Sequence, residues 1–310
     1  MTEKNTCWVL TGPTASGKTA LSIRLAKAYD CEVVCMDSMQ IYRRMNIGTA
    51  KPMPDEMDGI VHHMLDVAET DEAFSVARYQ EMAEECIADI QHRGKRALLV
   101  GGTGLYLRAL RQPMAMGDVA ADQSLRDELE ALAAAPEGKQ KLHDMLAEVD
   151  PATAARLHLN DVRRAVRALE VYRLTGVPFS QQHQIQTESR FRYRVASLTM
   201  ERSLLYGRIE QRVDLMLQQG LVEEVRGLLN EGIPASCQAM KAIGYKEIVP
   251  LLQSEATMEE TVYLLKLNTR HYAKRQLTWM RREEDVCWVD ALAPDAYQQL
   301  ENWFTQGERE

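Results

Sequence analysis

Eight consecutive residues near the start of the chain have the makings of a phosphate cradle. Gly12-Pro13-Thr14-Ala15-Ser16-Gly17-Lys18-Thr19 fits the pattern Gly-x-x-x-x-Gly-Lys-Ser/Thr. Glycines let the backbone approach an anion closely, and successive N–H groups then form an anion nest. The start of the following helix adds roughly half a positive charge. Lys18 neutralises phosphate oxygens, and the Thr19 hydroxyl suits Mg²⁺. The pattern indicates a di- or triphosphate. It leaves open whether a phosphoryl group moves or a diphosphate departs.

A carboxylate follows the next expected strand. Asp37-Ser38-Met39-Gln40-Ile41-Tyr42 comes directly after an apolar run at 32–36, the edge where open parallel sheets hold their active sites. Asp37 there can hold Mg²⁺ indirectly or accept a proton from a nucleophile; a capping or turn aspartate is the structural alternative. Gly48-Thr49-Ala50-Lys51-Pro52 follows in a loop, with Lys51 expected to reach a phosphate. Gly101-Gly102-Thr103-Gly104-Leu105-Tyr106 is a second glycine-rich turn, with Thr103 as a hydrogen-bond donor. His62-His63 carries no third ligand and is expected to be structural. Six cysteines at 7, 31, 35, 86, 237 and 287 form no Cys-x-x-Cys, as expected of buried thiols in a reducing cytoplasm.

The elements that must position these groups follow from apolar periodicity. Strands are expected at 7–10, 32–36 and 97–100, with helices at 19–29 and 76–91. This alternation implies a parallel sheet covered by helices. From about 118 the texture becomes all-helical, with helices at 125–135, 139–149 and 161–175. A strand at 193–199, helices at 203–219, 221–230 and 257–282, and a strand at 286–289 complete the pattern. The expected fold is α/β, a P-loop NTPase-like parallel sheet flanked by helices. Its core comprises 1–117 and 187–310, and 118–186 form an all-helical insertion domain.

The chain of 310 residues has a net charge of −8, which argues against non-specific coating of nucleic acid. Local basic faces remain. No Asp or Glu occurs over 261–282, where Lys266, Arg270, Lys274 and Arg281 share one helical face beside an apolar stripe of Val262, Leu265, Tyr272 and Trp279. Arg163, Arg164 and Arg167, near Arg156, form a second group, and Arg190, Arg192 and Arg194 a third. Such contacts position a phosphate backbone, whereas sequence is read on splayed, unpaired bases. No stretch approaches the length of a membrane span, and the N-terminus does not have the pattern of a signal peptide.

Taken in order, these motifs resemble the tRNA dimethylallyltransferase family. The likeness runs almost the full chain. It takes in the P-loop, 37–42, 47–52, His62-His63-Met64-Leu65-Asp66 and 101–106. It continues through Asn160-Asp161-Val162-Arg163-Arg164, 167–172, Arg208-Ile209 with Arg212-Val213-Asp214, 242–247 and 272–279. The P-loop is common to many families; the ordered combination is specific.

The resemblance implies transfer of the dimethylallyl group of dimethylallyl diphosphate to the exocyclic N6 amine of the adenine just 3′ of the anticodon. Asp37 is then the general base, and Thr103 positions the reacting groups. Residues 12–19, with Lys18 and a Mg²⁺ on Thr19, hold the diphosphate, and Arg208 or Arg212 adds charge there. The implied tRNA contacts are Asp37, Ser38, Met39, Gln40, Thr103, Arg126, Arg163, Arg164, Arg167, Lys241, Gly244, Tyr245, Lys246, Lys274 and Arg281. The implied partner is a tRNA anticodon stem-loop, bound by a cytoplasmic monomer. Met39 stands where many members carry arginine, and Lys241 where glutamine is common. The zinc-finger extension of eukaryotic members is missing from the sequence, which implies the bacterial type. Two rivals share the P-loop: a small-molecule or nucleoside kinase, and a switch that grips RNA without modifying it.

Overall fold

In the first strand, alternate side chains enter two different cores. Cys7 and Val9 face one, Trp8 and Leu10 the other, and all four are buried. A strand buried on both faces belongs inside a helix-covered parallel sheet, and the computed structural model, which describes residues 6–112, 122–182 and 188–306, places it there.

In chain order the elements begin β1 (Thr6–Thr11), α1 (Lys18–Tyr29), β2 (Cys31–Cys35), α2 (Pro54–Met57), β3 (His62–His63), α3 (Val76–His92), β4 (Arg96–Val100) and α4 (Gly104–Arg111). Five helices follow: α5 (Gln123–Ala134), α6 (Gly138–Val149), α7 (Pro151–Ala154), α8 (Val162–Thr175) and α9 (Phe179–Gln182). The chain then returns through β5 (Arg192–Thr199), α10 (Arg202–Gln218), α11 (Leu221–Asn230), α12 (Tyr245–Leu252), α13 (Met258–Met280), β6 (Val286–Asp290) and α14 (Ala296–Gln306). The sheet order is β3-β2-β4-β1-β5-β6, with every neighbouring pair parallel. The chain crosses from β1 past β4 to β2 and later returns to the other side of β1, so the strand order reverses beside β1, where such folds bind ligands.

The chain divides into two compact units, residues 1–111 with 189–310, and residues 112–188. The boundaries expected at 117/118 and 186/187 lie outside the described residues. The first unit contains the sheet. The second is helical, with Leu129, Leu142, Leu146, Val166 and Leu169 in its core. Its buried Glu170 accepts from Arg126 Nε at 2.9 Å, Arg126 Nη2 at 3.0 Å and Arg167 Nη1 at 2.5 Å. Its buried Asp150 caps α7 and accepts from the Ser180 N–H.

Seven elements were not expected from the sequence: α2, β3, α4, α7, α9, α12 and α14. β3 is two residues long, too short for a period, and exists because Val33 and Val34 pair with it. α4 is hidden in a glycine turn, and α12 is short and contains Pro250. As expected, the histidine pair is structural: His62 Nδ1 lies 2.9 Å from the Ile60 carbonyl, and His63 Nε2 lies 2.7 Å from Glu32 Oε2.

Glu32 is almost fully buried at the N-terminal end of β2, far along the strand from Asp37. It accepts both guanidinium nitrogens of Arg93, at 2.5 and 2.7 Å, which together with the other hydrogen bonds around it push its carboxyl down to about 2. The folded-state value lies below the unfolded one. The ionised group therefore stabilises the fold above the unfolded value, and this contribution is lost as pH falls toward 2. Glu32→Gln should lose about 2 kcal/mol at pH 7 and converge on the parent protein near pH 2, as measured by urea unfolding.

Candidate active site at the C-terminal edge of the sheet

The loops leaving β1, β2 and β4 meet at one edge. After β1 the chain swings through Gly12 to Gly17, whose left-handed backbone (φ 89°) starts α1 at Lys18. Lys18 Nζ folds back onto the loop, donating to the carbonyls of Gly12 at 3.1 Å and Pro13 at 2.8 Å. Ser16 Oγ is buried without a hydrogen-bond partner, an exception that calls for an explanation in a native fold. Thr19 is exposed on the first turn of α1.

Two arginines from α10 close on the same loop. Arg208 Nε donates to the Ala15 carbonyl at 2.9 Å, and Arg212 Nη1 donates to Thr14 Oγ1 at 3.4 Å. Both of the arginines expected near the diphosphate thus reach the loop. Loss of solvent, then the charge of Arg208, lowers the pKa of Arg212. Burial, then Arg212, pushes Lys18 down to about 8, with Asp37 opposing. Three cations crowded together in this way form an incomplete electrostatic arrangement that an anion would relieve.

Asp37 closes its own turn and faces the cradle. Its Oδ1 accepts from the Met39 N–H at 2.9 Å and from Gln40 at 3.4 Å. Burial holds the carboxyl above its ordinary value, against the pull of the Met39 N–H, Lys18 and the Gln40 N–H. The turn role and a proton-accepting role are therefore compatible in one carboxylate. Thr103 Oγ1 accepts from the Ser38 N–H at 3.1 Å, and the Thr103 N–H donates to the Met36 carbonyl at 3.2 Å. Tyr272 of α13 is half-buried beside Asp37, with Thr103 and Gln276 as hydrogen-bonding neighbours; burial, then Asp37, drives its phenol well above the ordinary range.

Sequence reasoning overlooked two residues that hold this edge in place. Gln276 is buried and accepts from the Thr14 N–H at 2.9 Å, while its Nε2 donates to the Gly102 carbonyl at 3.1 Å. A Cβ on residue 102 would lie 2.0 Å from that nitrogen, so a side chain there would displace the Gln276 amide from its hydrogen bonds. The i, i+4 spacing of Tyr272 and Gln276 was the available signal. Glu224 of α11 accepts from the N–H groups of Asn46 at 2.9 Å, Ile47 at 2.8 Å and Gly48 at 3.1 Å. Nothing in its local sequence reveals that role.

The expectation for Lys51 is overturned. It is buried, and its Nζ donates to the Tyr42 carbonyl and to Asp66 Oδ1, both at 2.6 Å. Tyr245, expected at the RNA, is also fully buried: its hydroxyl donates to Glu224 Oε1 at 2.6 Å, and its ring packs on Gly48. It supports the 46–51 loop from beneath. Gln40 spends its Nε2 on the Thr49 and Ala50 carbonyls, and Met39 is half-buried against the core.

The remaining expected RNA contacts differ in how free they are. Lys241, Lys246, Lys274 and Arg281 are exposed in the first unit, and Arg163 and Arg164 in the second. Gly244 donates its N–H to the buried Glu247 at 2.8 Å. Arg126 and Arg167 are committed to Glu170. The cationic ridge on α13 is narrower than its spacing implied, because α10 brings acids against it. Lys266 pairs with Asp214 at 2.7 Å and Arg270 with Glu210 at 2.5 Å.

Gln276→Leu would strand the Thr14 N–H and the Gly102 carbonyl. The expected outcome is a loss of roughly 1–3 kcal/mol in stability and weaker binding of inorganic diphosphate, checked by urea unfolding and calorimetry.

Comparison with known proteins places this geometry. The family model described as IPP transferase matches residues 40–283. A tRNA dimethylallyltransferase of Bacillus mycoides is 50% identical over 284 residues, covering 91% of this chain and 89% of the relative. One from Geobacter metallireducens is 49% identical and covers 93% of each. The crystal structure of the full-length tRNA isopentenylpyrophosphate transferase from Bacillus halodurans superposes with a TM-score of 0.71 at 42% identity, covering 99% of this chain and all of that one. A eukaryotic dimethylallyltransferase caught acting on tRNA gives 0.79 at 30% identity, over 98% of this chain and 77% of that chain. The chain that builds this cradle of cations beside a half-buried carboxylate belongs to the IPP transferase family.

Proposed function

We propose that this chain transfers the dimethylallyl group of dimethylallyl diphosphate to N6 of the adenine immediately 3′ of the anticodon in tRNA, releasing diphosphate. The observation that carries this reading is the pairing of Asp37, whose pKa is raised, with a loop ringed by Lys18, Arg208 and Arg212. The relatives named above act on tRNA by their names.

The reaction needs one bond made and one broken. The adenine nitrogen bonds to the allylic carbon as that carbon leaves its diphosphate oxygen, and the amine proton passes to Asp37. Raising the pKa of a carboxylate makes it a better base at neutral pH. Negative charge develops on the departing diphosphate, where Lys18, Arg208 and Arg212 are already placed to receive it. Thr103 and Ser38 hold the Asp37 turn against the second glycine loop, so base and cradle keep a fixed relation.

Mg²⁺ suits the loop. Ser16 Oγ lacks a partner and Thr19 offers an exposed hydroxyl, both hard oxygens. Among the described residues no group of three His, Cys, Asp or Glu is placed to hold a metal. Thr19 would therefore hold the ion together with the ligand's own oxygens. When bound, the ion supplies further neutralisation of the diphosphate. The exposed Lys241 and Arg163 are available for phosphate contacts with RNA, whereas the exposed Lys246 and Arg164 would first have to leave Glu247 and Asp161. Six free thiols suit a reducing, cytoplasmic setting, and we take the working form to be a monomer.

Asp37→Ala should lower kcat by about 10²–10⁴ while leaving donor binding intact, measured by single-turnover prenylation of tRNA. Near-normal chemistry in that variant removes Asp37 from the role of base. In the parent enzyme kcat/KM should fall as pH drops through the Asp37 pKa, with the acid limb above that of an ordinary carboxylate. Transfer of the terminal phosphate of ATP, with prenyl diphosphates ignored, would replace this reading by a kinase.

A further inference from the structure

The segment that carries Asp37 is fastened at two points to the loop that follows it. Gln40 donates its N–H to Asp37 Oδ1 at 3.4 Å, and its side chain reaches the other way. Its Nε2 donates to the carbonyls of Thr49 at 3.1 Å and Ala50 at 3.0 Å, and its Oε1 accepts from the Cys35 thiol at 3.3 Å. Both amide protons and the amide oxygen of Gln40 are thus in use. Two positions on, the Tyr42 carbonyl accepts from Lys51 Nζ at 2.6 Å.

The loop so fastened is a tight turn. The Lys51 N–H donates to the Asn46 carbonyl at 3.0 Å, the Ala50 N–H to the Ile47 carbonyl at 3.0 Å, and Thr49 Oγ1 to the Met45 carbonyl at 2.7 Å. Ala50 has a left-handed backbone (φ 50°), which a residue with a Cβ adopts only where its surroundings hold it. The opening N–H groups of the turn, from Asn46, Ile47 and Gly48, converge on the Glu224 carboxylate, which also accepts from the Tyr245 hydroxyl at 2.6 Å. Four donors fill the acceptor sites of a carboxylate. An amide in its place offers one oxygen and points N–H groups at other N–H groups.

Hydrogen bonds therefore run without a break from Glu224 of α11 through the turn to Gln40 and Asp37. The cradle is held separately, by Arg208 of α10 and Gln276 of α13. Transfer needs base and cradle at a fixed separation, and a misplacement of about 1 Å can cost on the order of 10²-fold in rate. Given the reaction proposed above, with Asp37 as its base, we propose that Glu224 is a positioning residue: acting through the 46–50 turn and Gln40, it sets where the Asp37 carboxylate stands relative to the cradle.

The test is made on the full chain with saturating tRNA. Glu224→Gln should lower kcat by about 10- to 100-fold and leave KM for dimethylallyl diphosphate within about twofold. In an Asp37→Ala background the same substitution should remove almost nothing further, because a residue that acts through the base has no effect once the base is gone. Gln40→Leu cuts the path at its other end without touching Glu224 and should give the same two results. Hydrogen exchange supplies a readout that needs no activity. In Glu224→Gln the Met39 and Gln40 amides should exchange about tenfold faster, a larger change than that of the β1 amides, which report opening of the sheet. A loss of kcat that is as large in the Asp37→Ala background, or Met39 and Gln40 amides that change no more than those of β1, overturns the proposal. A parent protein that does not prenylate tRNA sinks the proposed reaction instead, and amide exchange still decides whether Glu224 holds the Asp37 turn.

Discussion

A loop that leaves a parallel strand has no ladder partner, so its peptide groups need side chains from elsewhere. This requirement organises the site. Gln276 satisfies one group in the P-loop and one in the 101–103 turn. Glu224 gathers three N–H groups of the 46–48 segment. Arg208 satisfies the Ala15 carbonyl. The residues supplying these bonds lie in α10, α11 and α13, more than a hundred positions along the chain from the loops they hold. The C-terminal helices are therefore part of the cradle, and the cradle cannot keep its shape without them.

Electrostatics follows from that packing. Bringing Arg208 and Arg212 onto a loop that already contains Lys18 concentrates positive charge where little solvent remains, and both Lys18 and Arg212 respond by becoming more acidic. Burial acts on Asp37 in the other direction. The carboxylate and the cationic loop are tuned by one cause, the exclusion of water from the meeting point of three loops. Elsewhere acids are placed so as to neutralise. Glu170 binds Arg126 and Arg167, and Glu210 and Asp214 bind the flank of α13. The cations left without acids identify the surfaces available to other anions.

Local sequence determined much of this protein. The P-loop pattern needs only adjacent residues, because its nest is made by consecutive backbone N–H groups. The alternation of apolar strands with amphipathic helices was sufficient for a covered parallel sheet, because burial on both faces leaves a continuous apolar run in the sequence. Asp37 and Thr103 were legible for a related reason, since strand ends in such a sheet converge on one edge.

What required the tertiary structure was every relation between distant segments. Helical spacing placed Lys266 and Arg270 on a cationic ridge, but the acids of α10 that neutralise them lie some fifty to sixty positions away. Lys51 had the right residue type and neighbours for a phosphate contact, and only the fold shows it buried against Asp66. Gln276 and Glu224 have no chemistry that marks them in isolation; their importance comes from the unsatisfied peptide groups they meet. Periodicity reports which face of an element is apolar. Which polar group ends opposite which is decided when the elements pack, because hydrogen bonds and ion pairs act over a few ångströms of space, whatever the separation along the chain.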